Sequence, residues 1–360
     1  MRHNAAMRID VDALPALARG CSVLGAGGGG DTYVSVLACT HAMRECGPVD
    51  LVDLDDLPDD GLIMSCGGIG APTVSIEKLG SEREGEWLRE SLEEVTGRPV
   101  VAVMAAEIGG GNGIHPISWA ARMGLPIVDA DAMGRAFPEV QQQTMEIAGI
   151  DPSPCVMTDE RGNRVVIRTA DGHWLERLAR AAAVEFGGTA SSAEYPMTVA
   201  QARGATVRGS VSQALRIGRA LEAPDDPVQA LGEAIGAVLL LHGKLTDVER
   251  RVAGGFVRGS ATVEGLDEHR GRLLQLEIQN ENLVALEDGR PRAMVPDIIT
   301  VLDAETGHAI HTERLRYGQR VSVVAFPCDP VWRTPAGLAL AGPEAFGYEF
   351  GYVPVEQLSA

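Results

Sequence analysis

The sequence predicts an α/β protein: a parallel-sheet domain over about residues 1–165, then a largely antiparallel, β-rich α+β domain over 166–360 with helices near 175–242. Three observations predict it. From about residue 9 to 150, short apolar runs alternate with helix-length amphipathic runs, the pattern of a parallel sheet covered on both faces. Several of the short runs end in glycine or acid clusters, where the strands of such a sheet present ligand sites. Beyond residue 250 the runs are short and broken by Asp-Gly and Thr-Gly, as antiparallel strands joined by tight turns are.

Taken in order, "VDALPALARG" predicts a helix, "CSVLG" a strand running into "AGGGG", and "DTYVSVLACTHAMREC" a helix with Asp31 as its N-cap. "PVDLVDLDD", "GLIMSCGGIGAP", "PVVAVMAAEIGGG" and "PIVDAD" read as strands, separated by helices at 81–97 and in "HPISWAARMG". Residues 151–175 read as a crossing segment with a short hairpin, and 175–186 as a helix. "GGTASSAEYPMTVAQARG" is small and polar and reads as loop, while "SVSQALRIGRALEA" and "DPVQALGEAIGAVLLLHG" read as capped helices. "GGFVRGSATVEG", "LLQLEIQNENLVALEDG", "DIITVLDAETG", "AIHTERL" and "RVSVVAFPC" read as strands.

With 360 residues, 45% of them hydrophobic, the chain is long enough for two cores. Its net charge of -19, from 50 acidic against 31 basic side chains, argues against nucleic acid or an anionic membrane as partner. The first twenty residues lack an apolar signal core, and "AVLLLHG" is too short to span a bilayer, so a cytoplasmic location is expected. Six cysteines without a C-x-x-C pair suit reduced thiols and exclude a zinc knuckle. A homo-oligomer is the ordinary expectation for an enzyme of this size.

The densest chemistry lies in "LPIVDADAMGRAFPE". Asp129 and Asp131 alternate, so on a strand they point the same way; such a pair holds a divalent cation, divides into acid and base, or belongs to a purely structural ion cluster. Arg135 neutralises them or clamps a substrate carboxylate, and Glu139 follows. In "EIGGGNGIHP", Glu107 is a candidate base or metal ligand and Asn112 an orienter of a carbonyl or amide. His115, beside a proline suited to a first helical turn, is either a ligand or a loop histidine. Gly27, Gly28, Gly29 and Asp31 offer bare amides at a helix start, yet no lysine completes a phosphate loop. Cys66 is a nucleophile, a zinc ligand or simply a buried thiol. Asn280, Glu281 and Asn282 interrupt an apolar strand and so belong either to a buried network or to the site. Asp297 and Glu313 are secondary candidates, and Lys244, His311 and Arg316 read as solvated surface.

"VLGAGGGGDTYVS", "GIGAPTVSIEKL", "EIGGGNGIHPISWAARMGLPIVDADAMGRAFPE", "GKLTDVERRVAGGFVRG", "QNENLVA", "VPDIITVLDAETG" and "FGYEFGYVPV" resemble, in this order, the S-methyl thiohydantoin desulfurase family, formerly a domain of unknown function with hydantoinase/oxoprolinase-like labels. The resemblance implies an N-terminal α/β domain, a β-rich C-terminal domain and chemistry on a small cyclic amide or thioamide. It implies hydrolytic removal of sulfur from the ring carbon between the two nitrogens, with water or a metal-bound hydroxide attacking and sulfide or a thiol leaving. The residues carried over are Gly27 to Asp31, Glu107, Asn112, Asp129, Asp131, Arg135 and Glu139; Cys66 and His115 are not assigned by it. Together the readings nominate Glu107, Asp129, Asp131 and Glu139 as catalytic. They nominate Gly27, Gly28, Gly29, Asp31, Asn112, Arg135, Asn280 and Glu281 as substrate-binding. The expected cofactor is a divalent metal, zinc first, among Asp129, Asp131, His115 and Cys66, where it would lower the pKa of bound water. The competing readings are an ATP-assisted cyclic amidase and a non-enzymatic subunit that binds a hydantoin-like metabolite.

Overall fold

In the computed structural model the described residues are 7–70, 74, 77–222, 225–253 and 256–358. Part of "GIGAPTVSIEKL", residues 71–73 and 75–76, lies outside them. The N-terminal apolar runs form β1 (Met7–Ile9), β2 (Val49–Val52), β3 (Leu62–Gly70), β4 (Val100–Ala105) and β5 (Ile127–Asp131). Of these β2, β5, β4 and β3 lie side by side and parallel. The sheet continues antiparallel through β6 (Cys155–Thr158), β7 (Arg164–Ile167) and β8 (Thr189–Ala193), in the order β1-β2-β5-β4-β3-β8-β6-β7. Two short strands, β9 (Met197–Thr198) and β10 (Val207–Arg208), pair with β3 and β5.

Alternation along the strands builds two cores. Ile127 packs with Leu17, Ile117 and Leu215, while its neighbour Val128 packs on the opposite face with Leu175 and Ala179. The first face carries α1 (Leu14–Leu24), α2 (Thr32–Cys46), α3 (Glu84–Thr96) and α4 (His115–Met123). Over the second face lie α5 (Thr144–Ile147), α6 (Gly172–Glu185) and α7 (Val199–Ala205); α8 (Ser210–Ala220) and α9 (Pro227–Ile235) return to the first.

Helices α1 and α8 meet without intervening side chains. A Cβ on Gly20 would fall 1.8 Å from the Ala214 carbonyl oxygen, and one on Gly218 would fall 1.6 Å from that of Ala16. Because backbone cannot yield as a flexible side chain does, Gly20→Val is expected to destabilise by about 3 kcal/mol or more, read as a lower thermal midpoint. An unchanged midpoint would contradict this packing.

The second sheet is antiparallel throughout. Its strands are β11 (Val238–Ala253), β12 (Phe256–Gly265), β13 (Leu273–Gln279), β14 (Glu281–Glu287), β15 (Arg290–Met294), β16 (Ile298–Asp303) and β17 (Arg320–Phe326), in the order β15-β14-β13-β12-β11-β17-β16. Leu276, Ala285, Val301 and Val323 lie in its own core.

Several local expectations need correction. "CSVL" continues α1 rather than forming a strand, because Cys21, Val23 and Leu24 prolong its buried face; a short apolar run alone does not distinguish the two. The polar stretch read as loop contains β8, β9 and α7, held by pairing to β3 and β6 and by a Thr198–Gln201 capping box. "AVLLLHG" enters β11 after α9 ends at Gly236, and "AIHTERL" contains a 3-10 turn at Thr312–Arg314. "LLQLEIQNENLVALEDG" is two strands reversing at Asn280, which adopts φ 56° without glycine. Its side chain accepts from the Val257 amide of β12 at 2.8 Å, a tertiary bond that holds this asparagine in its left-handed position. Among the described residues, no helix is long and apolar enough to cross a membrane.

Candidate active site

Where β3 and β4 end and the Asn280 turn descends from the second sheet, a cavity of about 270 Å³ opens. Gly67 and Gly68 close one side, Glu107 and Asn112 follow β4, Met133 and Phe137 to Val140 follow β5, Glu194 follows β8, and Asn280 and Glu281 complete the wall. This is the carboxyl end of the parallel strands, the expected position for a ligand.

Asn112 fastens two of these walls together. Its amide exchanges hydrogen bonds with Gly68, accepting from the backbone nitrogen at 2.9 Å and donating to the carbonyl at 3.1 Å, and it also donates to Glu107 Oε1 at 2.6 Å. The other Glu107 oxygen accepts from the Phe137 amide at 3.3 Å. Burial raises the Glu107 pKa from 4.5 to about 8 against these two bonds, with the fields of Asp131 and Glu194 adding to the rise. Glu194 accepts from Gln143 at 3.0 Å, while its second oxygen is buried without a partner. Burial raises its pKa to about 7.

Glu281 is the third carboxyl group. Burial and then Glu107 push it well above the carboxylate range, while Arg135 opposes the rise. Room for it exists because residue 28 lacks a side chain: a Cβ there would fall 1.9 Å from Glu281 Oε1. The Glu107 carboxyl thus feels Glu194 on one side and repels Glu281 on the other, and burial holds all three above the ordinary carboxylate pKa.

The glycine loop is built mainly for close packing. The Gly111 amide donates to Gly30 at 2.9 Å and the Asn112 amide to Gly29 at 3.1 Å, so the two glycine-rich loops interlock. Thr312 donates to the Gly27 carbonyl and Asn282 to that of Ala26, both at 2.8 Å, which joins the loop to the second sheet. Gly29 and Asp31 line the cavity; Gly27 and Gly28 stand behind it. Asp31 caps α2 through the Tyr33 amide at 2.8 Å, as expected, and binds Arg314 at 2.8 Å.

Other nominated residues go elsewhere. Asp129 and Asp131 do share a face of β5, but Asp129 binds the amide and hydroxyl of Ser212 in the first turn of α8, at 2.9 and 2.5 Å. Asp131 Oδ2 accepts from Ile108, Met133 and Gly134 at 2.8, 3.0 and 2.8 Å, tying the strand-end loops together. Arg135 is fully buried, donates to the Ala136, Pro296 and Asp297 carbonyls at 2.9, 2.6 and 3.0 Å, and lies 4.4 Å from the Phe137 ring centre. Burial lowers its pKa to about 10, opposed first by Glu281. It joins the sheets rather than facing the cavity. Cys66 is a buried thiol, pushed well above its ordinary pKa by burial and Glu194. His115 lines the cavity edge against Trp119, 4.8 Å between ring centres, and burial lowers its pKa. Glu139 also lines the cavity.

The proposed metal set therefore stays apart: Asp129 and Asp131 hold backbone and Ser212, Cys66 is sealed in the sheet, and His115 sits at the rim. Among the described residues, no three His, Cys, Asp or Glu side chains gather to hold a cation.

Comparison with known proteins bears directly on this site. Residues 12–169 match the S-Me-THD-like N-terminal domain and residues 170–355 the S-Me-THD-like C-terminal domain. The chain belongs to the S-Me-THD-like family. That agrees with the resemblance to S-methyl thiohydantoin desulfurases seen in the sequence. A crystal structure of a protein from Chromobacterium violaceum is similar, with 26% identity and a TM-score of 0.82, over 97% of this chain and all of that one. No curated protein matches.

In this S-Me-THD-like chain the sequence reading missed Glu194 and Gln143. Glu194 lay in a stretch read as loop, and only the pairing of β8 with β3 carries it to the cavity. Its one sequence signal was an acid immediately before a Tyr-Pro pair in an otherwise small, polar run.

Proposed function

We propose that this family member is a hydrolase that removes sulfur from a small thiohydantoin-like ring by carboxylate-assisted attack of water. The observation that carries the proposal is the set Glu107, Glu194 and Glu281 at one cavity, with the Glu107 pKa raised to about 8, that of Glu194 to about 7 and that of Glu281 well above its ordinary value by burial. The family supports a thiohydantoin-related function. Glu194, about 7, takes a proton from water as the water oxygen bonds to the ring carbon of the sulfur-bearing C=N unit; the π pair moves onto the ring nitrogen, which receives that proton from Glu194. The adduct collapses with rupture of the carbon–sulfur bond: Glu107, about 8, delivers its proton to the leaving sulfur and regains one from the adduct hydroxyl, giving a thiol or sulfide and a ring carbonyl. Gly67 and Gly68, fixed through Gly68 by Asn112, leave room beside the carboxyl groups for a flat ring. The donor set nominated for zinc does not fit a cation, so the proton transfers rest on the carboxyl groups.

The test is thiol and sulfide release from a panel of thiohydantoins. Activity is expected to rise as Glu194 ionises through about 7 and to fall as Glu107 loses its proton through about 8. A rate flat across that window would count against the assignment.

The wall also predicts substrate charge. Among the described residues its cations are Lys78 and Arg180; Lys78 is held by Glu160 and two carbonyls, Arg180 by Glu176 and the Pro138 carbonyl. Acidic side chains outnumber these cations in the wall, so a ring bearing a carboxylate meets net repulsion. Neutral or basic ring substituents are expected to give kcat/KM about tenfold or more above an acidic substituent of like size. Equal values would remove this basis for selectivity.

A further inference from the structure

A second cavity, of about 420 Å³, lies between α1, the start of α2 and the segment around 307–314. In a chain with a net charge of -19 its lining is unusual. Arg19, His308, His311 and Arg314 face it together with the hydroxyls of Ser22 and Thr32, and the acid present, Asp31, is already bound to Arg314 and to the Tyr33 amide.

His311 was read from the sequence as solvated surface, yet it is 7% exposed. Its Nε2 lies 3.5 Å from the Ser22 hydroxyl, and its Nδ1 is buried without a hydrogen-bond partner. Arg19 donates through Nε to the Gly218 carbonyl at 2.9 Å, but its Nη2 is likewise buried and unpartnered, with the Glu222 carboxylate 3.8 Å away. Folding leaves a buried polar group unpaired only at a cost, and the Nδ1 of His311, donor or acceptor according to its tautomer, is such a group at this concavity. The 15-residue helix α2 begins at the same wall and adds the positive end of its dipole.

We infer that this cavity binds an oxyanion of the phosphate type, free or as a small phosphate monoester. Arg19 and Arg314 supply charge-assisted hydrogen bonds, His311 and the hydroxyls supply single bonds, and the volume beyond a phosphate group holds an ester's organic portion. The site is separate from the carboxyl cluster, although Asp31 belongs to both walls. It also stands on its own if the desulfurase reading fails, because its donors take no part in that chemistry.

The experiment is calorimetric titration of the full chain with inorganic phosphate and, separately, ribose 5-phosphate, against chloride at equal ionic strength. Saturable binding of one or both anions is expected; tighter ester binding assigns the monoester, and equal binding assigns free phosphate. Arg314→Gln, on a half-exposed side chain that folding does not require, is expected to weaken binding about tenfold, with His311→Asn acting in the same direction. Glu139→Gln, in the other cavity, is expected to leave it unchanged. No binding beyond chloride, or equal affinity in wild type, Arg314→Gln and His311→Asn, would overturn the inference.

Discussion

Glu107→Gln is expected to lower thiol release by about 10²–10⁴-fold, the range for loss of a positioned acid or base, while the protein remains folded. The variant is close to isosteric and neutral, matching the protonated form that burial favours. Circular dichroism and sulfide release on one preparation check both parts; wild-type turnover would remove Glu107 from the mechanism. A stability effect accompanies it. The Glu107 pKa is raised in the folded protein from 4.5 to about 8, so the stability associated with its proton is complete below 4.5 and is lost as pH rises through 8. Glutamine has no proton to lose. The variant's thermal midpoint is therefore expected to fall less than the wild type's between those pH values, and parallel curves would contradict the raised pKa.

Asp131→Ala is expected to unfold the protein rather than merely silence it. One carboxylate oxygen accepts from three backbone amides, at Ile108, Met133 and Gly134, and removal leaves them buried without an acceptor. Loss of such bonds costs roughly 2–5 kcal/mol, large against the stability of an ordinary domain. Burial pushes the Asp131 pKa up to about 7, yet the three amides keep its role structural even when it is protonated. Asp131→Asn, which keeps an acceptor oxygen, is expected to lose markedly less. Chemical denaturation of both variants distinguishes this from the catalytic role that the sequence suggested: a stably folded, inactive Asp131→Ala would restore that role.

The contrast between these two acids shows what was readable in advance. Both stood in motifs of the kind that line active sites, and nothing in their spacing separated them. Glu107 follows β4 into a cavity where an amide and a single backbone nitrogen hold it, leaving it available. Asp131 ends β5 beneath two loops whose amides converge on it. Arg135 went the same way, for its Nε and Nη1 donate to the Ala136, Pro296 and Asp297 carbonyls, two of them in the turn between β15 and β16. Sequence spacing reports which face a side chain leaves from, but not whether another segment will fold onto it.

By itself the sequence determined the alternation of apolar strands and amphipathic helices, hence a parallel sheet with two covered faces, and the run of short strands after residue 250 that forms the second sheet. It also determined the family and several local devices, among them Asp31 as the cap of α2. These depend on residues near one another in the chain, where periodicity, capping and turn chemistry act. Tertiary structure alone decided that "CSVL" extends a helix, that Asn280 reverses a strand, and that Glu194 and Glu281 meet Glu107. It also decided that His311 is buried beside Arg19. Each of these is a contact between distant segments, set by which surfaces exclude water together, and the resulting loss of solvent is what raises the carboxyl pKa values on which the proposed chemistry rests.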